Sequence, residues 1–269
     1  MGIVNVTPDS FSDGGEFLDP ERAVAHGLRL AGEGADVLDI GGESTRPGAA
    51  EVSVEEELRR VVPVIEGLTE AGCTATISID TSKAEVADRA LAAGATMVND
   101  VTALSDERMA AACVRGDASL VLMHMKGTPR TMQENPVYDD VVAEVREFLA
   151  EALERAIREG VPEEMIWLDP GIGFGKTVAH NLELIDRLGE LRELGRPIVL
   201  GASRKRFIGE ITGREVGERI GGTLAANVLG VARGAAMLRV HDVREAREAL
   251  DVAEAIIGTR DWREPAVPR

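Results

Sequence analysis

The chain has 269 residues and a formal net charge of −17. That length fits one barrel-sized domain or two small ones, and the acidity argues against a nucleic-acid backbone or an anionic membrane as partner, since both call for a basic face. Aromatic residues make up only 3% of the chain, so the core has to be built from Val, Ile, Leu and Ala.

The first element is a short apolar run, MGIVNV, broken by one polar residue, Asn5. It stops in TPDSFSDGG, a stretch of hydroxyls, carboxylates and glycines that cannot form a core. Short β-rich runs then recur along the whole chain, at 2–6, 36–40, 76–79, 96–98, 119–123, 165–168, 197–200 and 236–240. Amphipathic stretches lie between them, such as PERAVAHGLRLAGEG, SVEEELRRVVPVIEGLTEAG and KAEVADRALAAGA. These carry apolar residues at helical spacing, and several end in Gly, as a helix C-terminus often does. The strands are apolar rather than alternating, the pattern of a parallel sheet covered on both faces. Eight strands, each followed by a helix, predict an α/β fold of the (β/α)8 barrel type. An open doubly wound sheet is the second reading. No composition shift or linker interrupts the pattern, so residues 1–269 are expected to form one domain. Cys73 and Cys113 stand apart, with no disulfide framework or zinc spacing, and Cys113 in AAACV reads as core. No apolar segment reaches spanning length and no secretory leader is visible, so the expected location is the cytoplasm.

A barrel of this type carries its active site at the C-terminal ends of the strands. The residues there are Asn5; Asp39 with the run 41–46; Asp80; Asn99 and Asp100; His124; Asp169; the run 203–206; and Arg239 with His241. One polar strand end means little, but eight of eight point to a shared ligand. Asp80, Asn99 and Asp169 offer acceptors and an amide, suited to an amino-substituted heterocycle. Lys205, Arg239 and His241 are read as cationic and suited to an anion such as a phosphate. Two tempting motifs fail. GIGFGKT lacks the first glycine of a phosphate loop, with Pro170 in its place, and Lys176 stands where a dinucleotide fingerprint needs glycine. His124 has no second histidine at metal-ligand spacing and reads as a satisfied rim histidine. His26 and His180 receive no role.

NVTPDSFSDGG (5–15) and DIGGESTRPGA (39–49) resemble the two signatures of the dihydropteroate synthase family. The likeness continues through SIDT, VND, LMHM, DPGIGFGK, GASRKRFIG and RVHDV and covers nearly the whole chain. It implies an enzyme that joins p-aminobenzoate to 6-hydroxymethyl-7,8-dihydropterin diphosphate with magnesium, releasing pyrophosphate. It also implies a homodimer, a target of sulfonamides. Carried over by position, Asn5 would hold the magnesium–diphosphate. Asp80, Asn99 and Asp169 would bind the pterin edge, Lys205 its carbonyl and a ring nitrogen, and Met123 its floor. Arg239 would stack on the ring and, with His241, bind the diphosphate. Thr45, Arg46, Pro47, Phe11 and Phe174 would shape the aminobenzoate side. The 7–15 and 43–49 loops read as lids that exclude water from a pterin methyl cation, with Asp13 and Arg46 pairing across them. The catalytic set is therefore Asp80, Lys205, Asp13 and Arg46.

Two departures are notable. Relatives carry a short segment before the first strand, whereas Met1 lies inside it here, so that strand reads as blunt. Arg206 follows the key lysine where many relatives have serine. The competing functional readings are a methyltetrahydrofolate-binding methyltransferase domain, against which the lid signatures and SRK argue, and a non-catalytic pterin-binding paralogue.

Overall fold

The structure is a computed structural model that describes residues 1–7, 20–44, 51–128 and 130–258. All eight expected strands are present: β1 (Gly2–Asn5), β2 (Val37–Gly41), β3 (Thr76–Asp80), β4 (Met97–Asp100), β5 (Ser119–Met123), β6 (Ile166–Asp169), β7 (Ile198–Leu200) and β8 (Ala235–Leu238). They lie in chain order in one sheet, each parallel to the next. The sheet curls until its ends meet. Ile3 N–H donates to Val240 O at 3.0 Å, and Val240 N–H donates to Met1 O at 2.9 Å. The fold is a (β/α)8 TIM barrel.

The connecting helices are α1 (Pro20–Gly32), α2 (Val54–Glu70), α3 (Ala84–Ala92), α4 (Met109–Arg115), α5 (Val141–Arg158), α6 (Val178–Asp186), α7 (Arg206–Thr212), α8 (Ile220–Ala232) and α9 (Val243–Ile257). Three of them start at side-chain caps. Ser53 Oγ accepts from Glu56 N–H ahead of α2, whose first turn holds Glu55, Glu56 and Glu57 beside its positive dipole end. Asp140 accepts from the Val142 and Ala143 N–H groups ahead of α5. Thr177 and His180 form a reciprocal capping box at α6. After β7 the chain makes two helices rather than one, because Gly213, at a φ of 70°, ends α7 in the left-handed region.

Strand periodicity sorts the side chains into two cores. Outward residues such as Leu38, Ile40, Ile79, Leu120, Leu122 and Leu168 are buried beneath the helices against Leu30, Leu68, Met109 and Leu149. Each such side chain contributes about 1.5–3 kcal/mol of burial. Inward residues Met1, Val37, Met97, Val121 and Val199, with Trp167 and Met237, plug the barrel from below. Two residues further along four of these strands the same inward face turns polar: Val37 gives way to Asp39, Met97 to Asn99, Trp167 to Asp169 and Met237 to Arg239. An apolar floor therefore carries a ring of polar groups at the C-terminal mouth.

Candidate active site

The register sets the neighbours in that ring. Asp39 lies opposite Ser78, Asn5 opposite Gly41, Gly41 opposite Asp80, Asp80 opposite Asn99, and Met123 opposite Asp169. Asp39 is fully buried, and both of its oxygens are bonded. Its Oδ1 accepts from Ser78 Oγ at 2.6 Å, and its Oδ2 accepts from Asn99 Nδ2 at 2.9 Å and Arg239 Nε at 2.6 Å. Arg239 reaches back from the end of β8, and its Nη2 also donates to Asp80 Oδ2 at 2.6 Å. One guanidinium thus bridges two carboxylates, a geometry lysine could not reproduce.

Burial sets the charge states at the mouth. It pushes the Asp80 carboxyl up to about 7 against the pull of Arg239, while Asp39 adds to the rise. Burial also raises Asp169, opposed by the Gly171 N–H and by Lys205, Arg239 and Lys176. Burial and Arg239 lower Lys205 to about 8, with Asp169 and Asp80 opposing. The Lys205 ammonium lies 4.1 Å from the centroid of the Phe174 ring, a cation–π contact. Asp169 Oδ1 accepts from Gly171 N–H at 2.7 Å. Gly201 leaves space between Asp169 and Arg239, since a Cβ there would stand 3.9 Å from each.

His241 differs from its sequence reading. Burial, with Arg204 and Arg239, lowers it to about 4, so it is neutral rather than cationic near pH 7. Ser203 Oγ accepts from His241 N–H at 3.2 Å and lies 3.0 Å from its Nδ1. The hydroxyl keeps a second lone pair beside its own proton, so it can donate to Nδ1 of the Nε2–H tautomer or accept from Nδ1–H of the other. In the Nε2–H tautomer the neutral ring can still donate to an anion.

The structure thus brings Asn5, Asp80, Asn99, Met123, Asp169, Phe174, Lys205, Arg239 and His241 to one end of the barrel. Phe11, Asp13, Thr45, Arg46 and Pro47, and with them the expected lid pairing, lie outside the described residues. The described ends of the second loop are tied down. Glu43 accepts from Val52 N–H at 3.1 Å and pairs with Lys83, which also pairs with the buried Glu57 at 2.6 Å. Sequence reasoning missed Ser78, Lys83 and Lys176. Ser78 could have been found from its inward position two residues before Asp80; nothing in the sequence marks the other two. Arg206 is exposed and pairs with Glu210 in the next turn of α7.

The pterin binding enzyme family matches residues 1–241. The dihydropteroate synthase of Escherichia coli (strain K12) is 46% identical over 261 residues, 97% of this chain and 92% of that protein. The Xanthomonas albilineans dihydropteroate synthase with 4-aminobenzoic acid superposes with a TM-score of 0.90 at 54% identity, covering 95% of this chain and 92% of that one. The same enzyme in complex with 7,8-dihydropteroate gives a TM-score of 0.87 at 51% identity, again over 95% and 92%. With the polar mouth, the full-length barrel and these likenesses in agreement, the chain belongs to the dihydropteroate synthase family of pterin-binding enzymes.

Proposed function

We propose that the chain condenses 6-hydroxymethyl-7,8-dihydropterin diphosphate with p-aminobenzoate, giving 7,8-dihydropteroate and pyrophosphate in folate synthesis. The observation that carries this reading is the convergence of Asp80, Asn99, Asp169, Lys205 and Arg239 on one barrel mouth. Asp169 and Asn99 bind the amino and N–H edge of the pterin, Lys205 its carbonyl and a ring nitrogen, and Met123 its lower face. Arg239 stacks on the ring and, with His241, holds the diphosphate. Phe174, with Phe11, Thr45, Arg46 and Pro47, forms the aminobenzoate side.

The route is dissociative. The C–O bond to the diphosphate breaks first, and the departing negative charge is taken up by preorganised donors. Ionised Asp80 stabilises the pterin methyl cation, and the aminobenzoate nitrogen then attacks. Asp13 and Arg46 close the site against water. Among the described residues no group of three or more His, Cys, Asp or Glu is placed to hold a metal. The Asn5 amide oxygen would hold a magnesium ion carried with the diphosphate. When bound, it neutralises charge on the leaving group.

No helix among the described residues is long and apolar enough to cross a membrane. The homodimer reading is supported by exposed Leu182, Ile211, Val216 and Leu229, on or beside the adjoining helices α6, α7 and α8. Light scattering tests it. The reaction is tested by pyrophosphate release with both substrates and magnesium; no release beyond background would overturn the reading.

A further inference from the structure

Lys176 is only 3% exposed, and no carboxylate among the described residues lies within ion-pair distance of it. Its ammonium donates to Phe174 O at 3.0 Å and meets His124 Nδ1 at 2.8 Å. His124 is itself buried and packs edge-to-face on Phe148 at 4.8 Å. Burial lowers Lys176 to about 7, with Lys205 and Lys126 adding to the effect and Asp169 opposing it. A buried cation without a counter-ion costs stability, and an apolar side chain of similar length would cost less. The lysine therefore needs a reason other than holding the fold.

That reason lies in what it touches. Phe174 sits in a turn in which several other backbone groups are tied. Phe174 N–H donates to Gly171 O at 3.0 Å, Gly173 N–H to Asn181 Oδ1 at 2.7 Å, Gln133 Nε2 to Gly173 O at 2.7 Å, and Tyr138 OH to Gly175 O at 2.8 Å. Lys176 supplies the bond to the Phe174 carbonyl itself. The same turn presses on Lys205, since a Cβ at Gly173 would lie 3.1 Å from Lys205 Cδ.

We propose that Lys176 is a positioning residue for the aminobenzoate side of the site: its bonds to Phe174 O and His124 fix the Phe174 ring against Lys205. The proposal rests on the role given to Phe174 above. Lys176 contacts no substrate and works only through Phe174.

The test is a double-mutant cycle of Lys176→Met and Phe174→Leu, with kcat and KM for p-aminobenzoate and a thermal melt for each protein. Lys176→Met should raise KM for p-aminobenzoate about tenfold or more, as loosened positioning does, with kcat changed far less and the melting temperature unchanged or raised. If the lysine acts through the ring, the double variant should be no worse than the poorer single one. An unmoved KM, multiplying effects or a strongly destabilised Lys176→Met would each overturn the proposal, the last by making the lysine structural. Absence of turnover in the unsubstituted chain would instead overturn the reaction assigned above, so the two failures are distinguishable.

Discussion

Gly171→Ala isolates how the turn after β6 carries Asp169. Gly171 has a φ of 67°, in the left-handed region, and a Cβ there would stand 1.9 Å from the His124 carbonyl oxygen. Even a close carbon–oxygen contact needs about 3.3 Å, so two backbone segments would have to part by more than about 1 Å. The left-handed conformation costs alanine roughly 1–2 kcal/mol, and overpacking adds about 1–3 kcal/mol. For a chain of this size that is a fall in Tm of roughly 4–10 °C. Gly195 provides the control, because its φ is 72° and nothing lies within 4 Å of its Cβ position. Gly195→Ala should cost only the conformational part, about 1–2 kcal/mol. The two also separate functionally. His124 N–H donates to Asp169 O at 3.0 Å and Gly171 N–H to Asp169 Oδ1 at 2.7 Å, so parting these segments displaces the carboxylate. Calorimetric melts and pterin titrations of both variants decide the matter. Equal losses of Tm, with pterin affinity untouched in Gly171→Ala, would refute the steric reasoning.

Asp169→Asn should cost at least about 2 kcal/mol of pterin affinity, because an amide donor then faces a pterin donor in a desolvated site; isothermal titration reads this, and a matching loss of Tm would point to a structural role instead. The pterin substrate with magnesium but without p-aminobenzoate should release pyrophosphate slowly as water captures the cation. Complete silence without the amine, alongside normal turnover with it, would count against a dissociative route. His124 should make the fold acid-sensitive. Burial, with Lys176, lowers its pKa from 6.5 to about 3, so the unfolded chain binds the extra proton first. The stability it contributes is complete above pH 6.5 and falls by roughly 1.4 kcal/mol per unit as the pH drops toward about 3. Melts between pH 4 and 7 should show a shallower slope in His124→Gln, and parallel slopes would remove His124 from the account.

The barrel was legible because its strands are buried on both faces. Runs such as SLVLM and IVL read as strands without alternation, and the polar residue that ends each run marks the mouth. Strand ends were less legible. The last strand was expected over 236–240, yet β8 stops at Leu238, while Arg239 N–H still bonds Leu200 O at 3.0 Å and Val240 turns to pair with β1. The site residues were found one at a time, but not their joins. Arg239 and Asp39 are 200 positions apart, and only the sheet register brings the guanidinium onto that carboxylate. Lys176 and His124 meet because the turn after β6 folds over the end of β5, a contact that no periodicity announces. The charge of His241 was misjudged for the same reason: the sequence shows an imidazole, but its desolvation and the nearby Arg204 exist only in the fold.

Those joins bear on how an anionic substrate enters a chain of net charge −17. Long-range repulsion would slow a diphosphate if the mouth shared the average charge of the surface. It does not. Asp39, Asp80 and Asp169 there are matched in number by Lys176, Lys205 and Arg239, and all six are largely withdrawn from solvent. Asp39 spends both oxygens on Ser78, Asn99 and Arg239, and the guanidinium offsets its charge. Arg204, one residue before Lys205, is neutralised separately by Asp242. The result is a locally balanced pocket in an acidic molecule, with the remaining carboxylates carried largely on exposed helix faces, where salt screens them. Within it, an arriving diphosphate competes for a guanidinium that is already desolvated and oriented, so little reorganisation is left for the binding step.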